Sequence, residues 1–503
     1  MFSKLTEDCF DEIIQYINDK NTLYSFLLVN RLFCRKVTPK LWSEPFAFLE
    51  HSSPVLIRTY ISCFSDKERD SLYNYGLKIK IKYKPSLFSY PSFLNEFDFW
   101  PLKTSTEEWV RSFGHKRNLK MSPFFRYFLK ILLRKCKNMR TLRWFTHEKC
   151  YLMPDIRNFS SGSRNVFKNI RELHCGNYYL NPTFYYQLSK ICKNITVLNV
   201  LHYHKPNDSH LSDLIKKQNG LQSVTFCSLS GGTLRLVDSL SSQAHSIVSI
   251  RLEDTDLTDV SSKGLMMCSN LKTLELLDCR TNDPNIFWEP FVLNSKIRLS
   301  KLTLVRVPIN PKVIEIILKD SCMDLEEITF DKIVVESIPE ILNILKSYCT
   351  NITYLKIFII KYYFTQKLFK IIPSFTKLKS LIIRNSRLSF GNQFDKLGFC
   401  LPKSLRLFDM DLEISAFTLK RFLLNCSSPL ERLILNYSVG FTNEHLEVIL
   451  KYAKAKRNLK SIGFTYRSLP ELFIPSFISE ATEAKVKKFI EIYDPDDQDD
   501  CLF

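Results

Sequence analysis

Apolar positions recur along this chain in one fixed phrase: apolar, two variable, apolar, one variable, apolar. CKNITVLNV at 192–200 carries it on Ile195, Leu198 and Val200. The phrase returns from Cys136, Cys268, Cys322 and Cys349, more loosely from Cys426, and without cysteine from Asn169, Gly220, Ser246, Arg298, Lys377, Pro402 and Asn458. Its middle apolar residue falls at Leu142, Leu173, Leu198, Val224, Ile250, Leu274, Leu302, Ile328, Leu355, Leu381, Leu405, Leu433 and Ile462. Leu173 to Ile462 is 289 residues in eleven steps, a period of about 26. The final apolar-x-apolar alternates with period two and predicts a short strand with one buried face. Between strands the spacing turns helical, as with Ile338, Ile341, Leu342 and Leu345, or Leu446, Ile449, Leu450 and Ala453. Asn, Asp, Ser or Thr stands near many helix starts, where a side chain can cap free N–H groups. Neither element buries its apolar face alone, so the units must stack. The expected fold is α/β: a solenoid with a concave parallel sheet and convex helices.

This pattern resembles the cysteine-containing class of leucine-rich repeats, over residues 136–465 in about thirteen copies. Val224, Ile250 and Ile328 replace leucine, and several copies lack the cysteine.

Ahead of the repeats, Leu5, Phe10, Ile13, Ile14 and Ile17 have helical spacing, Asn18-Asp19-Lys20-Asn21 breaks it, and Leu23, Phe26, Leu27, Val29 and Leu32 resume it. Pro39 is expected to punctuate before Leu41-Trp42. The result is a bundle of about three helices, small enough to complete its core against something else. Here the chain resembles the F-box: Leu5, Asp8, Ile13 and Ile17 match its first part, and Val29-Asn30-Arg31-Leu32-Phe33 with Leu41-Trp42 its second, while Thr6 stands where the family has proline. The resemblance implies docking to a Skp-family adaptor and, through it, to a cullin and a RING protein. Leu5, Asp8, Ile13, Ile17, Leu28, Val29 and Trp42 are the implied contacts. The expected organisation is an F-box-like domain at 1–47, a connector at 48–135, repeats at 136–465, and a cap with an acidic tail at 466–503. In the connector, LKIKIKYK at 77–84 reads as a lysine-edged strand, PSLFSYPSFLNEF as irregular, and FFRYFLKILLRKC as a helix.

Side chains between the apolar residues of a strand point away from the core. Among them Arg143, His174, Asn199, Arg251, Glu275, Lys356 and Arg406 are candidate target contacts on the concave face.

Composition adjusts this picture in few places. The formal charge of +19 favours acidic partners without fixing the fold. The 15 cysteines, an odd number with no Cys-x-x-Cys, do not read as a disulfide framework. No signal-peptide pattern or apolar run of spanning length is expected, so the reading is intracellular, cytoplasmic or nuclear, and Asn194-Ile195-Thr196 is expected to carry no glycan. Phosphate-loop, Gly-x-Ser-x-Gly and His-Glu-x-x-His motifs are absent. His202, His204 and His210 lack cysteine support and are not read as a metal site. No catalytic residue, cofactor or metal is expected, membrane association is not, and no nucleic-acid module is recognisable. KYAKAKRNLK reads as an exposed helix face, and YDPDDQDD as a solvated tail. The expected function is substrate recognition in a Skp–cullin–F-box type ubiquitin ligase; the alternative is a repeat scaffold whose N-terminal helices merely cap the array.

Overall fold

The structure is a computed structural model of the 503-residue chain. It describes residues 7–17, 19–47, 52–74, 84, 86–113, 121–145, 165–176, 183–201, 209–229, 232–294, 297–333, 338–359, 362–385, 394–411, 414–436, 442–464 and 479–493. Leu5, the lysine-alternating stretch through residue 83, His202, His204 and the tail from 494 onward lie outside the described residues. Two compact units divide the chain, Met1–Ile247 and Val248–Phe503.

The first unit begins with helices Glu7–Tyr16, Lys20–Leu27 and Arg31–Ser43. Asp19, in the expected break, accepts from the Thr22 amide at 2.7 Å and caps the second helix. Asn30 accepts from the Phe33 amide at 3.0 Å and caps the third, interrupting the apolar spacing expected to run on to Leu32. Ile14, Leu23, Val37 and Leu41 form the small core, with Ile17, Phe26, Leu27 and Trp42 against it. Pro39 does not punctuate. The third helix runs through it. The neighbouring Lys40 ammonium donates to the Ile14 and Gln15 carbonyls at 2.8 and 2.6 Å, closing the end of the first helix.

Strands β1 (Glu96–Asp98), β2 (Thr141–Phe145), β3 (Glu172–Gly176), β4 (Val197–Leu201) and β5 (Ser223–Cys227) then pair in parallel and in chain order. The register aligns Phe97, Leu142, Leu173, Leu198 and Val224, all buried. The sheet therefore begins inside the stretch expected to be a connector. The predicted helix there is Met121–Lys135. Aromatic rings thicken the core at this end: Trp144 stacks on Phe99 at 4.3 Å and meets Phe184 at 5.7 Å.

The second unit holds β6 (Ser249–Glu253), β7 (Thr273–Leu277), β8 (Lys301–Val305), β9 (Glu327–Asp331), β10 (Tyr354–Ile359), β11 (Ser380–Asn385), β12 (Leu407–Asp411), β13 (Arg432–Asn436), β14 (Ser461–Phe464) and β15 (Glu491–Tyr493). They too are parallel and sequential, aligned on Ile250, Leu274, Leu302, Ile328, Leu355, Leu381, Phe408, Leu433, Ile462 and Ile492. Phe408, not Leu405, occupies the middle place. Leu405 is the earlier apolar residue of its phrase, and β15 adds a strand beyond the last expected copy.

The fold class read from the chain is thus the one present: α/β, a helical N-terminal bundle followed by repeating coils in which parallel strands alternate with helices. Buried side chains stitch successive coils. Gln218 accepts from the Ile195 amide at 3.0 Å and donates to the Cys192 and Leu214 carbonyls at 3.1 and 2.7 Å. Ser321 serves the same end, accepting from the Leu299 amide at 3.0 Å and donating to the Ile297 carbonyl. Cysteine fills the corresponding place in other coils: Cys192 is buried and directs its thiol to the Phe167 carbonyl at 3.1 Å.

Candidate interaction surfaces

Two kinds of surface emerge: one on the N-terminal bundle, and one on the strands of each unit, described unit by unit. The first lies on the N-terminal bundle. With Ile14 and Leu23 turned inward, the opposite sides of two short helices are left bare. Leu28 is 88% exposed, Val29 57% and Ile13 42%, joined by Tyr16 at 77% and Tyr24 at 48%. Exposed apolar and aromatic side chains thus concentrate on this small segment.

The family-implied residues therefore separate. Ile13, Leu28 and Val29 face solvent. Ile17 and Trp42 pack on the bundle's own core, and Trp42 also meets the Tyr60 ring at 5.5 Å and the Tyr90 ring at 4.2 Å. Asp8 lies in the first helix. Tyr16 and Tyr24 are not among the family-implied residues. Their signal is helical spacing, since Tyr16 follows Ile13 by three and Tyr24 precedes Leu28 by four.

The second surface is the face of the sheet turned away from the helices. In the first unit its central row holds Arg143, His174 and Asn199 side by side on β2, β3 and β4. Arg143 pairs with Glu96 at 2.9 Å. His174 Nδ1 lies 2.9 Å from Asn199 Nδ2, and its Nε2 lies 3.5 Å from Glu172. Burial, reinforced by Arg143, holds the His174 pKa below the ordinary histidine value, which keeps Nδ1 available as an acceptor for the Asn199 amide. Asp98, in register with Arg143, is pushed up to about 6 by burial, with Glu96 adding to the effect. Burial likewise raises the Glu44 carboxyl, with Glu96 next in weight.

In the second unit, Arg251 bonds Glu253 at 2.7 Å and reaches Glu275 at 3.6 Å, and Lys301 bonds Glu275 at 2.8 Å. Lys356 lies 3.9 Å from Asp331. This ladder fixes side-chain positions more than it adds stability, because half-exposed ion pairs contribute little. Arg406 is not part of the row. It precedes β12, donates to the Lys403 and Leu405 carbonyls, and lies 3.6 Å from Glu431. Asp409 takes the place expected for it, held by both terminal nitrogens of Arg384 at 2.6 and 2.8 Å.

No group of metal-ligating side chains gathers among the described residues. No described helix is long and apolar enough to cross a membrane.

No family model matches the chain, and no curated protein matches it. Among solved structures it is similar to an internalin (inlF) from Listeria monocytogenes, with 15% identity, 66% of this chain and 82% of that one covered, and a TM-score of 0.32. It is also similar to the Rad7 and Elc1 complex in yeast, with 14% identity, coverage of 61% and 86%, and a TM-score of 0.35. Likeness at this level leaves the functional reading to the chain's own residues.

Proposed function

We propose that this protein is the substrate-recognition subunit of a Skp–cullin–F-box type ubiquitin ligase. The N-terminal bundle docks the adaptor, the repeats hold a target, and the chain performs no chemistry itself. It acts by bringing the target to a ubiquitin-loaded enzyme, so its contribution is proximity. Degradation of that target, in cytoplasm or nucleus, follows from the same reading.

One observation carries it. Leu28, Val29 and Ile13 stand exposed on a bundle whose own core is complete without them. Desolvated apolar anchors of this kind supply most of the energy of a docking interface. The decisive experiment is co-purification with a Skp-family adaptor, next to an F-box protein known to co-elute. Failure to co-elute beside that control removes the reading.

A scaffold whose N-terminal helices only cap the repeats is the second reading, and Trp42 favours it. Its contacts with Tyr60 and Tyr90 tie the bundle to the residues that follow. That role predicts a soluble chain, indifferent to adaptor, whose other partners persist when Leu28 and Val29 are changed.

A further inference from the structure

Lys137-Asn138-Met139-Arg140 and Lys168-Asn169-Ile170-Arg171 repeat one motif in successive coils, and Lys193-Asn194 begins it again in the next. Met139, Ile170 and Ile195 are buried and hold the register. The Arg171 amide donates to the Arg140 carbonyl at 2.8 Å, and the Thr196 amide to the Arg171 carbonyl at 2.7 Å. Equivalent residues therefore stand one strand spacing apart, about 4.8 Å. They lie at the edge where the chain runs into β2, β3 and β4.

There Asn138, Arg140, Lys168, Asn169, Arg171 and Asn194 line a cavity of about 390 Å³. Its lining holds, among the described residues, three cations, three amides and no carboxylate. Among the described residues no ion pair neutralises Lys137, Arg140, Lys168 or Arg171. The Arg171 guanidinium makes, among the described residues, one bond, to the Asn194 carbonyl at 3.2 Å. Crowding of positive charge extends to Lys193, whose pKa is lowered by burial first and then by Lys217.

Part of this charge has a structural use. Lys193 donates to the Ser189 carbonyl at 2.7 Å, at the end of helix Thr183–Ile191. A helix C-terminus carries only about half a negative charge, so two full cations per coil leave a surplus. Among the described residues no aromatic ring lines the cavity, so they offer no stacking platform for single-stranded bases. Glu172 directly follows Arg171 and turns onto the sheet face, where a long polyanion would meet it.

We propose that this cavity receives the oxyanion side chains of an anionic target segment, carboxylate or phosphomonoester. Arg140 and Arg171 supply guanidinium donors, and Asn138 and Asn169 supply amides. The inference rests on the reading that the repeats hold a target protein, and it is independent of adaptor docking.

The test uses the purified full chain and fluorescent peptide pools that differ only in a central phosphoserine, glutamate or serine, with short duplex DNA as a fourth probe. The phosphoserine pool, the glutamate pool or both should bind at least about tenfold more tightly than the serine pool. Preference for phosphoserine over glutamate assigns the anion to phosphorylation, and equal binding assigns it to acidic side chains. Arg140→Ala with Arg171→Ala should reduce binding to the serine level without changing the melting temperature, and Arg140→Lys with Arg171→Lys should restore part of it. Equal binding of all pools overturns the proposal. So does a preference that survives the alanine pair, or duplex DNA binding more tightly than every peptide. Adaptor co-elution should be the same in all variants, which separates failure here from failure of the ligase reading.

Discussion

The backbone N–H of Asn95 donates to the carbonyl of Ser43 at 2.9 Å. Asn95 in turn accepts from the Arg140 and Thr141 amides at 2.8 and 3.1 Å. The same rung repeats from Arg140 to Arg171 and on to Thr196. Ser43, the last residue of the third N-terminal helix, thus stands where a preceding coil would stand. The bundle is built into the array's main-chain ladder, with Trp42 packed beside the joint.

Trp42→Ala should therefore destabilise the first unit by about 3 kcal/mol, the usual range for truncating a well-packed aromatic. Denaturant unfolding followed by fluorescence measures it. A loss below about 0.5 kcal/mol would mean that Trp42 is spare for adaptor contact rather than structural.

Leu28→Ala with Val29→Ala should do the reverse. Both residues face solvent, so stability should change by no more than about 0.5 kcal/mol per site. Adaptor affinity should fall by a factor of ten or more, since exposed apolar anchors account for most docking energy. Titration calorimetry against the adaptor checks this. Unchanged affinity would move the interface elsewhere on the bundle.

Gln218→Leu tests how the coils are joined. The side chain satisfies one buried amide and two buried carbonyls that leucine cannot reach. A cost of about 2 kcal/mol or more is expected, from unmade bonds rather than lost volume. Hydrogen exchange should localise it to the Ile195 amide. Protection of that amide equal to the unmodified chain would refute the role.

Much of this was legible in the apolar phrase. Strand register follows from it because a residue such as Leu198 has only one way to face the helices, and twelve of the thirteen middle positions align as read. Leu405 misled because Leu405-x-Leu407 alternates as convincingly as Phe408-x-Met410, and only pairing with Leu381 decides between them. β1 escaped although Leu94, Phe97 and Phe99, all buried, carry the phrase, because Phe97 lies 45 residues before Leu142, well off the period. β15 escaped because it carries one inward apolar residue, Ile492. Surface partition was less legible still. Ile13 and Ile17 are one helical step apart, yet Ile17 packs and Ile13 does not, because what covers a helix depends on the angle of its neighbours. The pairing of Arg384 with Asp409 joins strands 25 residues apart, and alternation along either strand says nothing about it.

The cysteine row should be chemically quiet. Burial pushes the thiols of Cys136, Cys192, Cys268 and Cys349 up to about 12, so at neutral pH each is almost wholly protonated. Brief iodoacetamide treatment followed by peptide mass spectrometry should label exposed Cys9 well before any of the four. Rapid native labelling of Cys192 would contradict its place behind the strand.

Asp98 gives the clearest dependence on pH. Its folded pKa of about 6 lies above the ordinary 3.8, chiefly because burial disfavours the charged form. Between those values the folded chain holds a proton that the unfolded chain has released. Stability therefore falls as pH rises through this window, and the full cost is present above about pH 6. Asn at this position can still accept from the Trp100 amide, as Asp98 does at 3.2 Å, without carrying charge. Asp98→Asn should consequently gain stability relative to the unmodified chain as pH increases from about 4 to about 7. Paired thermal melts across that range measure the difference, and a carboxyl carbon NMR titration should place the Asp98 midpoint near 6. A midpoint at the ordinary value, or a difference that does not change with pH, would show that water reaches this carboxylate on the sheet face.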